Sequence, residues 1–194
     1  MTQADPTTQA VPTTQAAPTG TDATASRLPA GPSPYFLGEA EGDKLVLFDQ
    51  LFTLLTTSPQ TSGQFDAFVT EGRPGQAVPA HFHRTTHETF FVLSGAIRLW
   101  VDDQAGGRET RILEEGGFGY VPRDTIHSYR IERTGKIFGV TSAGFTDFFR
   151  AVARPTDKAG IPEPAEFHIP SFDEMARQGA AHDVNFVAGY ELFD

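Results

Sequence analysis

The sequence predicts an all-β domain, a sandwich or barrel, behind a low-complexity N-terminal tail. Three observations carry that expectation. From Tyr35 onward, short apolar runs recur at roughly 8–12-residue spacing, the rhythm of short antiparallel strands. Turn-forming pairs and triplets separate the runs. Helical periodicity is confined to two short segments in the last third of the chain.

The elements follow in order. Residues 1–33 repeat Pro-Thr-Thr-Gln-Ala and hold almost nothing apolar. Such a segment cannot offset its ordering entropy, so a disordered N-terminal tail is expected over 1–33 and one domain over 34–194. The tail lacks the basic start and apolar block of a secretory signal, and the expectation is a cytoplasmic protein. Strands are expected over Leu45–Phe48, Leu51–Thr57, Gln64–Val69, Thr89–Leu93, Ile97–Val101, Glu109–Leu113, Phe118–Val121, Ser128–Ile131 and Lys136–Thr141. Breakers sit between them, among them Arg73-Pro74-Gly75, Ser94-Gly95, Gly116-Gly117 and Thr134-Gly135. A helix is expected over Thr146–Ala153, after Gly144 and before Arg154-Pro155, with Phe148, Phe149 and Val152 on one side. Ser171-Phe172-Asp173-Glu174 forms a capping box that opens a second helix through about Gln178. Both helices are expected to cover a barrel end.

Composition narrows the chemistry. A chain of 194 residues is enough for one well-packed domain. No run approaches the ~18 apolar residues of a membrane span, and a formal net charge of -10 argues against nucleic acid as a partner. With no cysteine, disulfides, thiolate zinc sites and cysteine nucleophiles are excluded, so a bound metal must use nitrogen and oxygen donors. Phenylalanine dominates the aromatics, 17 against 4 Tyr and 1 Trp, which predicts a Phe-rich core and suits the walls of an apolar cavity.

A donor pattern lies near the middle of the chain. Gly75 is followed after five residues by His81-Phe82-His83, after four more by Glu88 and after six more by Gly95; Gly116, Pro122 and His127 come later. Side chains alternate along a strand, so His81 and His83 share a face and Phe82 takes the other. Arg84–His87 reads as a turn that returns Glu88 beside them. His127 starts a later strand after Pro122-Arg123-Asp124 and shares its face with Tyr129 and Ile131. Three imidazoles and a carboxylate suit iron, manganese, cobalt or nickel with open coordination positions, or zinc in a closed structural site. The plain alternative is a chance cluster on a polar surface, against which stand the flanking glycines, the glutamate spacing and the distant Pro–His pair. His87 is expected to project away from Glu88 as a turn residue, His168 and His182 to lie on the surface, and Asp102-Asp103 to form a solvated hairpin turn.

Gly75–Gly95 matches the first cupin motif without a gap. Gly116, Pro122 and His127 match the second in part, with Asp124 at its glycine position and Ile131 at its trailing asparagine position. On these residues the chain is identified as a member of the cupin superfamily. More narrowly, His81–Leu93 and the Phe-rich segment Gly144–Phe149 resemble the bacterial single-cupin quercetinases, which are flavonol 2,4-dioxygenases, over the chain from about Tyr35 to its end. The resemblance implies a single cupin (jelly-roll) β-barrel of two antiparallel sheets. It implies that His81, His83, Glu88 and His127 bind a divalent transition metal, nickel or cobalt favoured and manganese, iron or copper used by other members. It implies opening of the central ring of a flavonol such as quercetin by O2, with release of CO and a depside, by a homodimer. Glu88 is then the base for the 3-hydroxyl. Phe90 on the Glu88 face, Tyr129 and Ile131 on the His127 face, and Phe148 and Phe149 from the helix are the candidate substrate walls. Three other readings compete. One is a cupin dioxygenase for a smaller aromatic or a thiol acid. Another is a sugar isomerase, for which Arg98, Arg111 and Arg130 are the available basic groups. The third is a non-catalytic cupin that only binds a metal or ligand.

Overall fold

The computed structural model describes residues 26–39 and 41–194, so residues 1–25 of the expected tail lie outside the described residues. Ser26 and Arg27 bond to the Asp43 carboxylate, and Leu28, 7% exposed, joins the buried cluster that includes Leu45, Leu47 and Phe52. Packing against the domain is therefore already present ahead of the boundary expected at residue 34. The physical reason is Leu28, an apolar side chain with somewhere to go.

The strands are β1 (Asp43–Leu47), β2 (Gln50–Thr56), β3 (Phe65–Gly72), β4 (His81–Phe82), β5 (Glu88–Asp102), β6 (Arg108–Glu114), β7 (Phe118–Val121) and β8 (Ile126–Ser142). Helix α1 (Thr146–Val152), strand β9 (Arg154–Pro155), helix α2 (Phe172–Ala181) and strand β10 (Asn185–Phe186) complete the described order, with one 3-10 turn at Pro164–Glu166. The strands pair antiparallel in the path β10-β4-β8-β3-β2-β1-β9, with β5 along the second edge of β8 and with β6 and β7 on the far edge of β5. The predicted strands are present and the helices stand where the periodicity put them. Two features differ from expectation.

First, Ser94-Gly95 and Thr134-Gly135 do not turn the chain. The runs on either side of each merge into the long strands β5 and β8, whose mutual register shifts between Val92 and Ile97. The glycines face each other there. A Cβ on Gly135 would stand 2.0 Å from the Ser94 carbonyl oxygen, and one on Gly95 (φ 80°) 2.5 Å from that of Thr134. Glycine here permits a bulge at a close backbone approach. Second, because β5 and β8 serve both halves, the two sheets expected are joined into one ten-stranded hydrogen-bonded sheet.

Two apolar clusters lie against this sheet. One gathers Phe52, Phe68, Phe145, Phe148, Phe149 and Val152 between β1–β3 and α1; the other gathers Phe90, Val92, Ile97, Leu99, Val121 and Ile131 from β5, β7 and β8. The N-terminus of α1 is held from β3: the fully buried Asp66 carboxylate accepts from the Thr146 amide and hydroxyl, both at 2.9 Å. In α2, the Ser171 side chain accepts from the Glu174 amide, the first of the two bonds of the expected capping box, and the helix runs on past Gln178 to Ala181.

Candidate metal centre

The donor residues reach one point from four places. His81 lies on the short β4, in register with His127 near the start of β8. His83 follows β4, and Glu88 opens β5 after the intervening turn. Their ligating atoms all lie within 4.8 Å of one another. The Glu88 carboxylate stands 3.0 Å from His127 Nε2 and 3.7 Å from His83 Nε2. His83, Glu88 and His127 are buried, and His81 is half-buried at the edge.

Hydrogen bonds behind the rings orient the set. His81 Nδ1 donates to the Pro79 carbonyl at 2.8 Å, His83 Nδ1 to that of Asp183 at 2.7 Å and His127 Nδ1 to that of Thr125 at 3.0 Å. A carbonyl only accepts, so each Nδ1 carries the hydrogen and each neutral ring presents an Nε2 lone pair forward. Three lone pairs and a carboxylate then face one another. His83 Nε2, buried, has no hydrogen-bond partner. A cage lined by acceptors is at rest only around a cation, and backbone anchoring of this kind is how metal-binding imidazoles are held. The four residues fit a divalent transition metal. Without a metal, a proton taken up by an imidazole beside Glu88 answers the same need.

The same crowding sets the charges. Burial would raise the Glu88 carboxyl, but the adjacent His127 and His83 rings outweigh it and hold Glu88 well below the ordinary range. Burial, with the neighbouring His127 and His83 rings, pushes His81 far down. Burial also opposes charge on His83, yet the nearby Glu88 carboxylate lifts it above its ordinary value.

Beside the donors lies a cavity of about 60 Å³ whose walls include Phe52, Phe90, Tyr129, Phe148, Phe149 and Phe186. On the scale where one water takes roughly 10–15 Å³, this is room for a handful of waters. His81, Glu88 and His127 open onto it, and among the described residues no arginine or lysine lines it. Of the five wall residues expected from sequence, Phe90, Tyr129, Phe148 and Phe149 are there. Ile131 is not. It shares the His127 face, but its side chain packs in the inner core against Gly72 instead of reaching the cavity. Tyr129 donates to the Gln50 side chain at 2.7 Å, and burial, seconded by the Glu88 charge, pushes its hydroxyl far up, so it stays protonated.

The remaining candidates separate cleanly. His87 faces outward, 2.7 Å from the Tyr120 hydroxyl and stacked on its ring. His168 is half-buried rather than a plain surface residue, because its Nε2 bonds to the Val152 carbonyl and its backbone bridges Phe48. His182, also half-buried, is the C-cap of α2. Arg98 and Arg130 bind Glu132 and flank Trp100, while Arg111 pairs with Glu109. Sequence reasoning missed Met175, Val184 and Phe186 on the cavity wall and Asp183 behind His83. Nothing local marks them, because α2 and β10 reach the site through tertiary contacts, α2 against α1 and β10 paired with β4.

Comparison with known proteins places these features. Residues 68–138 match the Cupin_2 model, a cupin domain. Over 164 residues the chain is 35% identical to quercetin 2,3-dioxygenase of Bacillus subtilis (strain 168), a match covering 84% of this chain and 47% of that protein. Quercetin 2,3-dioxygenase of Aspergillus japonicus is 30% identical over 170 residues, covering 83% of this chain and 46% of its own. The chain thus spans about half the length of the curated relatives it matches. Among solved structures it is similar to oxalate decarboxylase from Bacillus subtilis at pH 4.6, with a TM-score of 0.47 and 17% identity over 54% of this chain and 27% of that one. Among the described residues no helix is long and apolar enough to cross a membrane.

Proposed function

We propose, on the premise that the chain is a cupin resembling the quercetin 2,3-dioxygenases, that it is a metal-dependent dioxygenase that opens the central ring of a flavonol with O2, releasing CO and a depside. The observation that carries this reading is the convergence of three imidazole Nε2 atoms and one carboxylate at the edge of an aromatic-walled cavity. A divalent ion held by His81, His83, Glu88 and His127, with nickel or cobalt favoured, would supply Lewis acidity that lowers the pKa of a substrate hydroxyl.

The protein's own residues do the rest. Glu88, a carboxylate among the donors at the edge of the cavity, accepts the proton of the flavonol 3-hydroxyl. Phe90, Phe148 and Phe149 offer ring faces to a flat aromatic substrate and exclude water from the reacting carbon atoms. A flavonol is larger than the cavity, so its admission requires outward movement of those walls. The absence of arginine and lysine from the lining disfavours a sugar isomerase, whose substrate needs such groups. A homodimer belongs to the proposal by resemblance. Supporting it, Phe91, Leu93, Phe118 and Tyr120 leave apolar area exposed on the outer face of β5 and β7.

The test is to purify the protein, measure its metal, and assay quercetin consumption with CO in the headspace. CO formed one-for-one with quercetin lost is the expected result. A metal-loaded protein that yields no CO from quercetin would leave a dioxygenase for a smaller aromatic, or a non-catalytic binder, in its place.

A further inference from the structure

The turn that follows α2 reaches back to the donor loop from 100 positions along the chain. Asp183 makes the contact twice. Its backbone carbonyl accepts the His83 Nδ1 hydrogen at 2.7 Å. Its carboxylate accepts from the amides of Arg84 and Thr85 at 2.9 and 2.8 Å and from the Thr85 hydroxyl at 2.7 Å. The residue is left-handed, with φ 59°, a conformation that glycine, asparagine and aspartate tolerate best. Strand β10 follows at once, pairing Asn185 with Phe82 and Phe186 with His81, and the Asn185 side-chain amide donates to the Phe82 carbonyl at 3.2 Å. One residue thus fixes both a donor ring and the turn from which that ring hangs.

The geometry points to Asp183 as a positioning residue of the metal centre, holding His83 in the tautomer and orientation that aim Nε2 at the Glu88 carboxylate. This rests on the reading that His81, His83, Glu88 and His127 hold a metal. The carbonyl selects the Nδ1–H form of His83. The carboxylate keeps residues 84 and 85 from drawing His83 out of line. Alanine removes the carboxylate and disfavours the left-handed turn, so both contacts suffer. Glycine keeps the turn and removes only the carboxylate. Asparagine keeps the turn and one acceptor oxygen.

The test is titration of the metal-free full chain with Co(II), read as Kd by calorimetry and as the d–d absorption of the bound ion, for wild type, D183A, D183G and D183N. Loss of a partner behind a metal ligand typically costs about 10–100-fold in affinity. We expect a loss of that size with an altered absorption band in D183A, where the turn and its carbonyl shift, a smaller loss with a measurable band shift in D183G, where only the carboxylate is gone, and recovery towards wild type in D183N. D183G suits the turn and carries the test should D183A fail to fold. Wild-type affinity and an unchanged band in the folded variants would overturn the role of Asp183, even if their melting temperatures fell, because a merely structural residue moves stability and not the ion's environment. Failure of the wild-type chain to bind Co(II) at all overturns the metal reading itself.

Discussion

Glu88 keeps its charge in an apolar surrounding only because two imidazoles stand against it. Glu88→Gln therefore leaves a buried amide of nearly the same shape and removes the base. The expected outcome is an intact fold by circular dichroism and a loss of turnover of about 10²–10⁴-fold, the usual worth of a positioned base; near-normal activity would take Glu88 out of that role. The same residues shape stability against pH in the metal-free protein. The Glu88 carboxyl is lower in the fold than its ordinary 4.5, so its contribution is present above that value and lost as pH falls through the folded one. His81 is held well below 6.5 by burial and by its neighbouring imidazoles; the unfolded chain takes a proton that the fold refuses, and stability declines as pH drops below about 6.5. His83, raised by Glu88 against the effect of burial, contributes below 6.5 and loses that contribution as pH rises past its folded value. The melting temperature of the metal-free protein should accordingly fall between about pH 6 and pH 4, measured by differential scanning calorimetry. At this scale the sequence was generous: spacing alone picked out His81, His83, Glu88 and His127. It failed for Ile131, because a shared strand face does not say which of its side chains packs in the core instead of lining a cavity.

Among the elements, strands and helices were legible wherever periodicity was local. The α1 face of Phe148, Phe149 and Val152 and the Ser171 cap both stand as the pattern implied. The failures have one cause: glycine marks either a turn or a bulge, and the choice depends on a partner strand that the local sequence does not contain. Gly95 and Gly135 are bulge glycines pressed together, whereas Gly116 (φ 81°) sits in a true turn, where an added Cβ would meet no atom within 4 Å. The two kinds should respond differently to alanine. Gly135→Ala forces backbone apart and should cost about 3 kcal/mol or more, or prevent folding. Gly116→Ala carries only left-handed strain, about 1–2 kcal/mol. Urea denaturation of both variants measures the difference, and equal costs would refute the distinction.

For the molecule as a whole, the donors come from β4, β5, β8 and the loop behind β4, so a bound ion ties together segments that are far apart in sequence. Free metal at about a hundred times its Kd should stabilise the fold by about 2.7 kcal/mol. At about 2–4 °C per kcal/mol for a chain of this size, that is a rise of roughly 5–10 °C in melting temperature, reversed by a chelator. What the sequence withheld at this scale was the contribution of the C-terminal part. Met175, Val184 and Phe186 complete the cavity and Asp183 backs His83, yet no metal-ligand or substrate motif marks them and they reach the site through tertiary contacts. The two longest strands carry a last consequence. Since residues 88–102 and 126–142 bind the sheet regions under both apolar clusters, neither cluster has a separable scaffold. Melting one would fray the other, so deuterium uptake by the amides of these strands should track a single global opening rather than two independent ones.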